Sequence, residues 1–161
     1  PLVTGGGGVT VKYKQVTLSA FFHGRFGQSI VNMARMNNES MFGSNNQSKA
    51  VLRRWKNEGD NTDIPRALYN EGRNYLGSDR FVEKASFVRL KSMTLSYGFP
   101  RKICNRFNVN SLSVFVTGYN LFTWTNYTGQ DPEVSVKDNL AIDTATTPVA
   151  KRFSFGLNMS F

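Results

Sequence analysis

The segment RFSFGLNMSF, residues Arg152 to Phe161, decides the fold class of this chain of 161 residues. Its side chains alternate between two characters. The apolar positions are Phe153, Phe155, Leu157, Met159 and Phe161, and the positions between them are Ser154, Gly156, Asn158 and Ser160. Because successive side chains of a strand point to opposite faces of a sheet, the pattern predicts a β-strand with one apolar and one polar face.

Similar alternation elsewhere in the chain predicts four more strands. Together with the closing segment, the predicted strands lie near residues 8–14, 16–26, 86–99, 111–124 and 151–161. The alternation over 111–124 is incomplete, because Phe115 and Tyr119 fall on the otherwise polar face. In 86–99, strict alternation would place Arg89 and Lys91 on the same face as the apolar residues. Two arrangements avoid this conflict. Lys91 can extend its side chain out of the apolar layer while Arg89 lies beyond that layer, or a β-bulge can reverse the alternation.

The connections between these strands alternate between short and long. They cover residues 14–15, 27–83, 100–110 and 127–150, and the stretches 29–41 and 47–56 are candidates for short helices. Outer-membrane barrels join their strands by short periplasmic turns and long extracellular loops. The sequence therefore predicts an all-β fold, a transmembrane antiparallel β-barrel with two long extracellular loops. A soluble β-sandwich also fits the aromatic content of 13%.

The charged and reactive residues argue against several classes of function. The net charge of +9 comes from scattered basic residues without a long run or a nucleic-acid motif, so we expect no nucleic-acid partner. Cys104 and His23 are the only residues of their kinds, which leaves no CxxC pair and one histidine on which to build a metal site or a catalytic triad. We therefore predict no enzymatic activity, no catalytic residue, no metal site and no cofactor.

Several stretches resemble the sequence motifs of one protein family. They are residues 78–91 (SDRFVEKASFVRLK), 94–100 (TLSYGFP), 111–127 (SLSVFVTGYNLFTWTNY), 128–135 (TGQDPEVS), the closing segment 152–161, and Trp55 with 59–66 (GDNTDIPR). Taken in chain order, they resemble the C-terminal barrel portion of SusC/RagA-like TonB-dependent outer-membrane transporters. The departures at Lys84, Tyr119 and Gln130 are mild, and none of these positions has a catalytic role to lose.

The resemblance implies a barrel of about 22 strands, of which residues 1–161 supply the last five or so. The N-terminal plug is expected to be absent from this chain, which begins at Pro1 without an initiator Met. Since an open sheet edge is not viable in lipid, the remaining strands must come from a longer polypeptide or another chain. The expected partners are therefore the rest of the barrel, the plug and the surrounding lipid.

The implied function is TonB-dependent import of oligosaccharides or peptides across the outer membrane of a Gram-negative bacterium. A SusD-like surface lipoprotein would close the barrel from outside, and TonB would act on the plug from the periplasm. A passive porin or a signalling receptor would share the barrel. A soluble β-sandwich carbohydrate-binding module would instead bury the aromatic residues of the closing segment.

Aromatic loop residues are candidates for contact with a ligand or with the lid. They are Trp55, Tyr69, Tyr75 and Tyr127, whose rings can stack on sugars or pack the loop onto the barrel. Asp131 is a further contact candidate. With Glu133 it can bind a structural calcium ion or belong to the turn around Gly129 and Pro132.

Three further residues, located on the predicted barrel strands, are expected to have functional roles. His23 and Arg25 are expected to face the lumen, where they would line the substrate route or bind the plug. Phe161, a terminal aromatic residue, is a candidate signal for the barrel-assembly machinery, or simply faces lipid. Cys104 has no functional assignment.

Overall fold

The computed structural model describes residues 1–68, 77–137 and 140–161. These residues form two compact units. Unit 1 contains Pro1–Gln28, Ser86–Asn126 and Val149–Phe161, and unit 2 contains Ser29–Ala85 and Tyr127–Pro148. Within the described ranges, no helix is long and apolar enough to cross a membrane.

Both units contain strands. In chain order they are β1 (Val3–Tyr13), β2 (Val16–Phe26), β3 (Ser29–Asn32), β4 (Val82–Lys84), β5 (Phe87–Gly98), β6 (Ser111–Thr125), β7 (Val136–Lys137), β8 (Leu140–Asp143) and β9 (Arg152–Ser160). The helices are α1 (Met33–Asn38) and α2 (Arg101–Arg106), with single 3-10 turns at Lys49–Arg53 and Asp79–Phe81. The all-β class predicted from the alternation is confirmed.

Unit 1 is a five-stranded sheet with the strand order β1-β2-β5-β6-β9. All four strand pairs are antiparallel. β1 begins at Val3, earlier than the strand predicted near 8–14, and includes the glycines of Gly5–Gly8. These glycines pair in register with β2, where the ring of Phe21 lies over Gly6 and Gly8. The glycine-rich composition hid this part of the strand.

The register of the sheet separates apolar from polar side chains. One row of paired residues crosses all five strands and is entirely apolar: Val11, Leu18, Leu95, Val116 and Phe155. The neighbouring row lies on the opposite face and carries only hydroxyls: Thr10, Ser19, Thr94, Thr117 and Ser154. The apolar side chains are open to their surroundings, with 80% of Phe155 exposed. We refer to the two sides as the apolar face and the polar face.

A β-bulge at Lys91 keeps the two faces separate along β5. Phe21 and Phe22 of β2 pair with Ser92 and Leu90, so Lys91 is the extra residue. The bulge places Leu90 on the apolar face and Arg89 opposite His23 on the polar face. Of the two arrangements considered from the sequence, the bulge is the one observed. Arg89 is buried rather than lying beyond an apolar layer.

Unit 2 contains a small sheet where the sequence predicted only loops and short helices. Its order is β4-β3-β8-β7, with a parallel pair between β3 and β8. Its core consists of Ile30, Ala85 and Tyr127, against which Val134 and Ala141 pack. This core joins described residues of the two chain segments that make up unit 2. Strands of two to four residues are too short to give a recognisable alternation.

Candidate functional site

Glu83 on β4 is the centre of a hydrogen-bond network in unit 2. Its Oε1 accepts bonds from Asn32 Nδ2 at 3.2 Å and from Arg35 Nη1 at 3.1 Å. Its Oε2 accepts bonds from the Thr128 backbone N–H at 3.1 Å and from Thr128 Oγ1 at 2.7 Å. Because Asn32 ends β3, Arg35 lies on α1 and Thr128 follows β6, one carboxylate connects distant parts of the chain.

The network also shifts the pKa values of Glu83 and Arg35. Burial opposes ionisation of Glu83, but hydrogen bonds from Thr128, Arg35 and Asn32 outweigh it and hold the pKa of the carboxyl below its ordinary value. For Arg35, burial is likewise outweighed by bonds to Glu39 and Glu83, which raise the pKa of the guanidinium. The ion pair between Arg35 and Glu83 is therefore charged at neutral pH.

Tyr127 lies in the core of unit 2 and not on its surface. Only 6% of the residue is exposed, and its hydroxyl donates to Asp143 Oδ2 at 2.7 Å. Burial and the neighbouring Asp143 carboxylate raise the pKa of the Tyr127 phenol above its ordinary range. The ring therefore packs within unit 2, and its contact with a ligand or the lid stays a prediction.

A cavity of about 600 Å³ lies beside the network, wholly within unit 2. Its walls include Glu39, Gln130 and Asp143, together with Asn38 and Ser48. Asp143 Oδ1 accepts a bond from the Ala145 backbone N–H at 2.9 Å, so both of its oxygens are engaged. Most residues that line the cavity have side chains capable of hydrogen bonding, and the cavity is large enough for a side chain or a short peptide segment.

Trp55 lies at a second recess in unit 2, an open groove of about 530 Å³. The backbone N–H of Trp55 donates to Ile64 O at 2.9 Å, and Ile64 also lines the groove. Pro65 and Asp63 also line the groove, and Asp63 pairs with Arg53 at 3.3 Å. The half-buried indole of Trp55 therefore remains a candidate contact for a ligand or a lid.

The other loop candidates have different outcomes. Tyr69 and Tyr75 lie outside the described residues. Asp131 Oδ1 accepts a hydrogen bond from the Glu133 backbone N–H at 2.8 Å, the geometry of an Asx turn around Pro132. Among the described residues, no group of three His, Cys, Asp or Glu side chains is placed to hold a metal ion.

Comparisons with known proteins point to one family, although no family model matches the chain. TonB-dependent receptor P3 of Formosa agariphila is 30% identical over 159 residues, which are 94% of this chain and 15% of that receptor. TonB-dependent receptor P26 of the same bacterium is 28% identical over 159 residues, covering 94% of this chain and 16% of that receptor. The chain thus spans less than a fifth of each relative.

The solved structures agree with these relatives. The RagAB peptide importer in its closed-closed state matches with a TM-score of 0.82 and 27% identity, over 98% of this chain and 17% of that chain. The open-open state matches with a TM-score of 0.79 and 26% identity. The chain belongs to the SusC/RagA-like TonB-dependent receptors. The relatives found are receptors and transporters, not enzymes.

Membership of the TonB-dependent receptors explains the two faces of unit 1. In an outer-membrane barrel the apolar side chains form the outer, lipid-facing band and the polar side chains face the interior. The five strands are a portion of such a barrel, in keeping with its C-terminal part. In such barrels no strand edge is left free, because each strand pairs with a neighbour on both sides.

The polar face of the receptor strands carries His23, Arg25 and Arg89. His23 pairs across the sheet with Arg89 and its ring lies 6.0 Å from that of Phe87. Arg89 donates from Nε to Thr123 Oγ1 at 3.0 Å. The sequence pattern identified His23 and Arg25 but not Arg89, because only the bulge at Lys91 brings Arg89 to this face.

Phe161 and Cys104 belong to none of these sites. Phe161 follows β9 and 85% of it is exposed, so its ring is available for a contact outside the described chain. Cys104 is buried in α2, and its thiol lies 3.6 Å from the Phe99 carbonyl oxygen. The position of Cys104 is that of a small packed side chain.

Proposed function

We propose that the complete protein is a TonB-dependent outer-membrane transporter that imports a large nutrient, a peptide or an oligosaccharide. Residues 1–161 would supply barrel wall and two extracellular loops. The observation that carries the proposal is the pair of neighbouring rows across five strands, one wholly apolar and one wholly hydroxyl-bearing. A wall between lipid and a wet interior needs this division.

The proposed transport cycle gives this part of the chain a supporting role. TonB would act on the plug, which lies elsewhere in the protein, and a SusD-like lipoprotein would close the extracellular mouth. The similarity to the RagAB peptide importer supports such a lid and favours a peptide as the substrate. The predicted extracellular regions 27–83 and 127–150 would lie outside the membrane, where the Trp55 groove and the cavity beside Glu39 can meet a ligand or the lid.

The proposal is tested by uptake in the source bacterium. Cells that carry the full-length gene should take up labelled oligopeptides or oligosaccharides, and deletion of either the gene or TonB should abolish uptake. Uptake that persists without TonB would indicate a passive porin. A change in gene expression without uptake would indicate a signalling receptor. A soluble product of 18.1 kDa would overturn the barrel assignment altogether.

We further propose that the barrel-assembly machinery recognises Phe161. Its exposed ring follows the alternating strand β9, which supports recognition of the strand end. Deletion of Phe161 from the full-length protein should lower its amount in the outer membrane severalfold, as measured by immunoblotting of membrane fractions. Phe153→Ala, which removes an aromatic from the same strand, is the control. Equal amounts of wild-type and truncated protein would contradict the proposal.

A further inference from the structure

The acidic side chains of this chain all lie outside unit 1. The 11 Asp and Glu residues fall within 29–85 and 127–148, the two segments of unit 2. Half of the 20 Lys and Arg residues lie in unit 1, which the structure describes in full. The net charge of +9 therefore originates in the strands and turns of the barrel wall, where no Asp or Glu side chain of unit 1 can neutralise it.

Four of these basic residues lie at one end of the sheet, which we call the short-turn end. They are Lys14 in the turn between β1 and β2, and Arg101, Lys102 and Arg106 on α2 between β5 and β6. The two connections are neighbours, because the Gly98 backbone N–H donates to Gln15 O at 2.8 Å. All four basic residues are exposed, so this end of the wall presents positive charge to its surroundings.

The helix α2 also exposes apolar side chains. Ile103 and Phe107 are 37% and 65% exposed, whereas Cys104 between them is buried. Because residues four apart share one side of a helix, Ile103 and Phe107 form an apolar stripe. Lys102 and Arg106 are likewise four apart and form a basic stripe beside it. An exposed apolar stripe next to basic residues is typical of a segment that lies in the interface of a membrane.

Two tyrosines on the apolar face lie at the same end of the sheet. Tyr13 and Tyr97 both pair with Val16, and 69% of Tyr13 is exposed. Lys14 Nζ lies 5.3 Å from the centre of the Tyr13 ring. Aromatic residues form girdles where the apolar band of an outer-membrane barrel meets the interface. The basic residues beyond these tyrosines are therefore expected at the height of the lipid headgroups.

These features together select one kind of lipid. Basic side chains without a neighbouring carboxylate attract the phosphate of a headgroup with a net negative charge. A zwitterionic headgroup carries its own ammonium group, which offsets that attraction. Free phosphate would bind the basic stripe but would not cover the apolar stripe of Ile103 and Phe107. An anionic phospholipid satisfies both stripes, because its phosphate and its acyl chains belong to one molecule.

We propose that the short-turn end binds anionic phospholipids. The phosphate contacts Lys14, Lys102 and Arg106, and the acyl chains cover Ile103 and Phe107. The inference rests on the position of unit 1 in the membrane wall. The site is separate from the loop regions proposed to meet a nutrient or the lid.

The test captures lipid directly at α2. The full-length transporter, with p-benzoylphenylalanine in place of Phe107, would be irradiated in vesicles that contain equal amounts of phosphatidylglycerol and phosphatidylcholine with the same acyl chains. Mass spectrometry would identify the attached lipid. We expect phosphatidylglycerol to exceed phosphatidylcholine about fivefold, the factor that one Lys or Arg contributes near an anionic surface. The excess should disappear in about 1 M salt, where the Debye length falls to about 3 Å.

Charge variants separate this site from the general charge of the protein. Lys102→Gln combined with Arg106→Gln should bring the ratio of the two captured lipids close to one. Lys49→Gln combined with Lys56→Gln removes the same charge from exposed lysines of unit 2 and should preserve the excess. Equal capture of the two lipids at low salt without charge variants, or an unchanged excess after the two substitutions on α2, would overturn the inference.

A second photoreactive position distinguishes failure of the inference from failure of the barrel assignment. Phe155 lies on the apolar face, so p-benzoylphenylalanine in its place should capture lipid of both kinds. Capture at position 155 but not at position 107 would overturn the inference and leave the barrel wall intact. Absence of lipid at both positions would contradict the wall itself.

Discussion

At the residue scale, Glu83 connects distant segments of unit 2. Its carboxylate joins Asn32, Arg35 and Thr128 through five hydrogen bonds, and 12% of its side chain is exposed. Glu83→Gln replaces one acceptor oxygen by an amide donor that opposes the donors of Thr128. We expect a loss of about 1–3 kcal/mol in the local stability of unit 2. Hydrogen exchange of the peptide that contains Thr128 would measure it, with Glu58→Gln as control.

The same residue predicts a pH dependence of unit 2. Burial raises the pKa of Glu83, but the hydrogen bonds to Thr128, Arg35 and Asn32 outweigh it, so the folded pKa lies below the ordinary 4.5. A lowered folded pKa contributes stability that is present above pH 4.5 and lost as the pH falls through the folded value. The difference in hydrogen exchange between wild type and Glu83→Gln should therefore be large at pH 7 and shrink in acid. A difference that is constant with pH would contradict this role.

Gly156, which has no side chain, leaves space for a neighbouring aromatic ring in the barrel wall. It pairs with Phe115, whose ring occupies the space that a Cβ at residue 156 would need. We expect Gly156→Ala to destabilise the folded barrel by about 1–3 kcal/mol. Gly98→Ala is the control, because its nearest atom is Gln15 O at 3.9 Å. Thermal unfolding of the purified full-length protein measures both, and a Phe115→Leu background should cancel the loss. An equal effect of the two alanines would refute the packing argument.

At the scale of single elements, the bulge in β5 makes the strongest prediction. Deleting Lys91 removes only the extra residue and leaves Leu90 next to Ser92, so regular alternation keeps Leu90 on the apolar face and Arg89 on the polar face. Leu90→Arg instead places an arginine on the apolar face, where one that faces lipid costs up to about 2–4 kcal/mol, depending on depth. The deletion should therefore leave the amount of full-length protein in the outer membrane near the wild-type level, whereas Leu90→Arg should reduce it severalfold. Equal losses of both variants on immunoblots would contradict the role of the bulge.

The elements also show what the sequence can predict. Long strands such as β2 and β9 repeat the apolar–polar alternation often enough to be recognised. The strand β1 was predicted too short, because Gly5–Gly8 carry no side-chain pattern and are held by pairing with β2. The sheet of unit 2 was missed because β3 and β8, four residues each, are defined by a distant parallel pairing.

The candidate site residues were likewise predictable only where a local sequence pattern identifies them. His23 and Arg25 were placed on the polar face by parity alone, and the register agrees with that parity. Glu39 and Glu83 were not identified, because their partners come from residues that are distant along the chain. The spacing of Arg35 and Glu39, four residues apart on a short helix, was the one local signal available. For Tyr127 the sequence allows both stacking on a ligand and packing, because aromatic character alone does not reveal burial.

At the scale of the whole molecule, the central claim is that the apolar face of unit 1 lies against lipid in the outer membrane. Its decisive test is spin labelling of the full-length transporter in bilayers, in a Cys104→Ser background. Phe155→Cys places a nitroxide on the apolar face and Ser154→Cys places one on the polar face. The label at 155 should collide mainly with oxygen, which dissolves in lipid, and the label at 154 should not. Similar collision rates at the two positions, or access of a water-soluble nickel chelate to position 155, would contradict a lipid-facing wall.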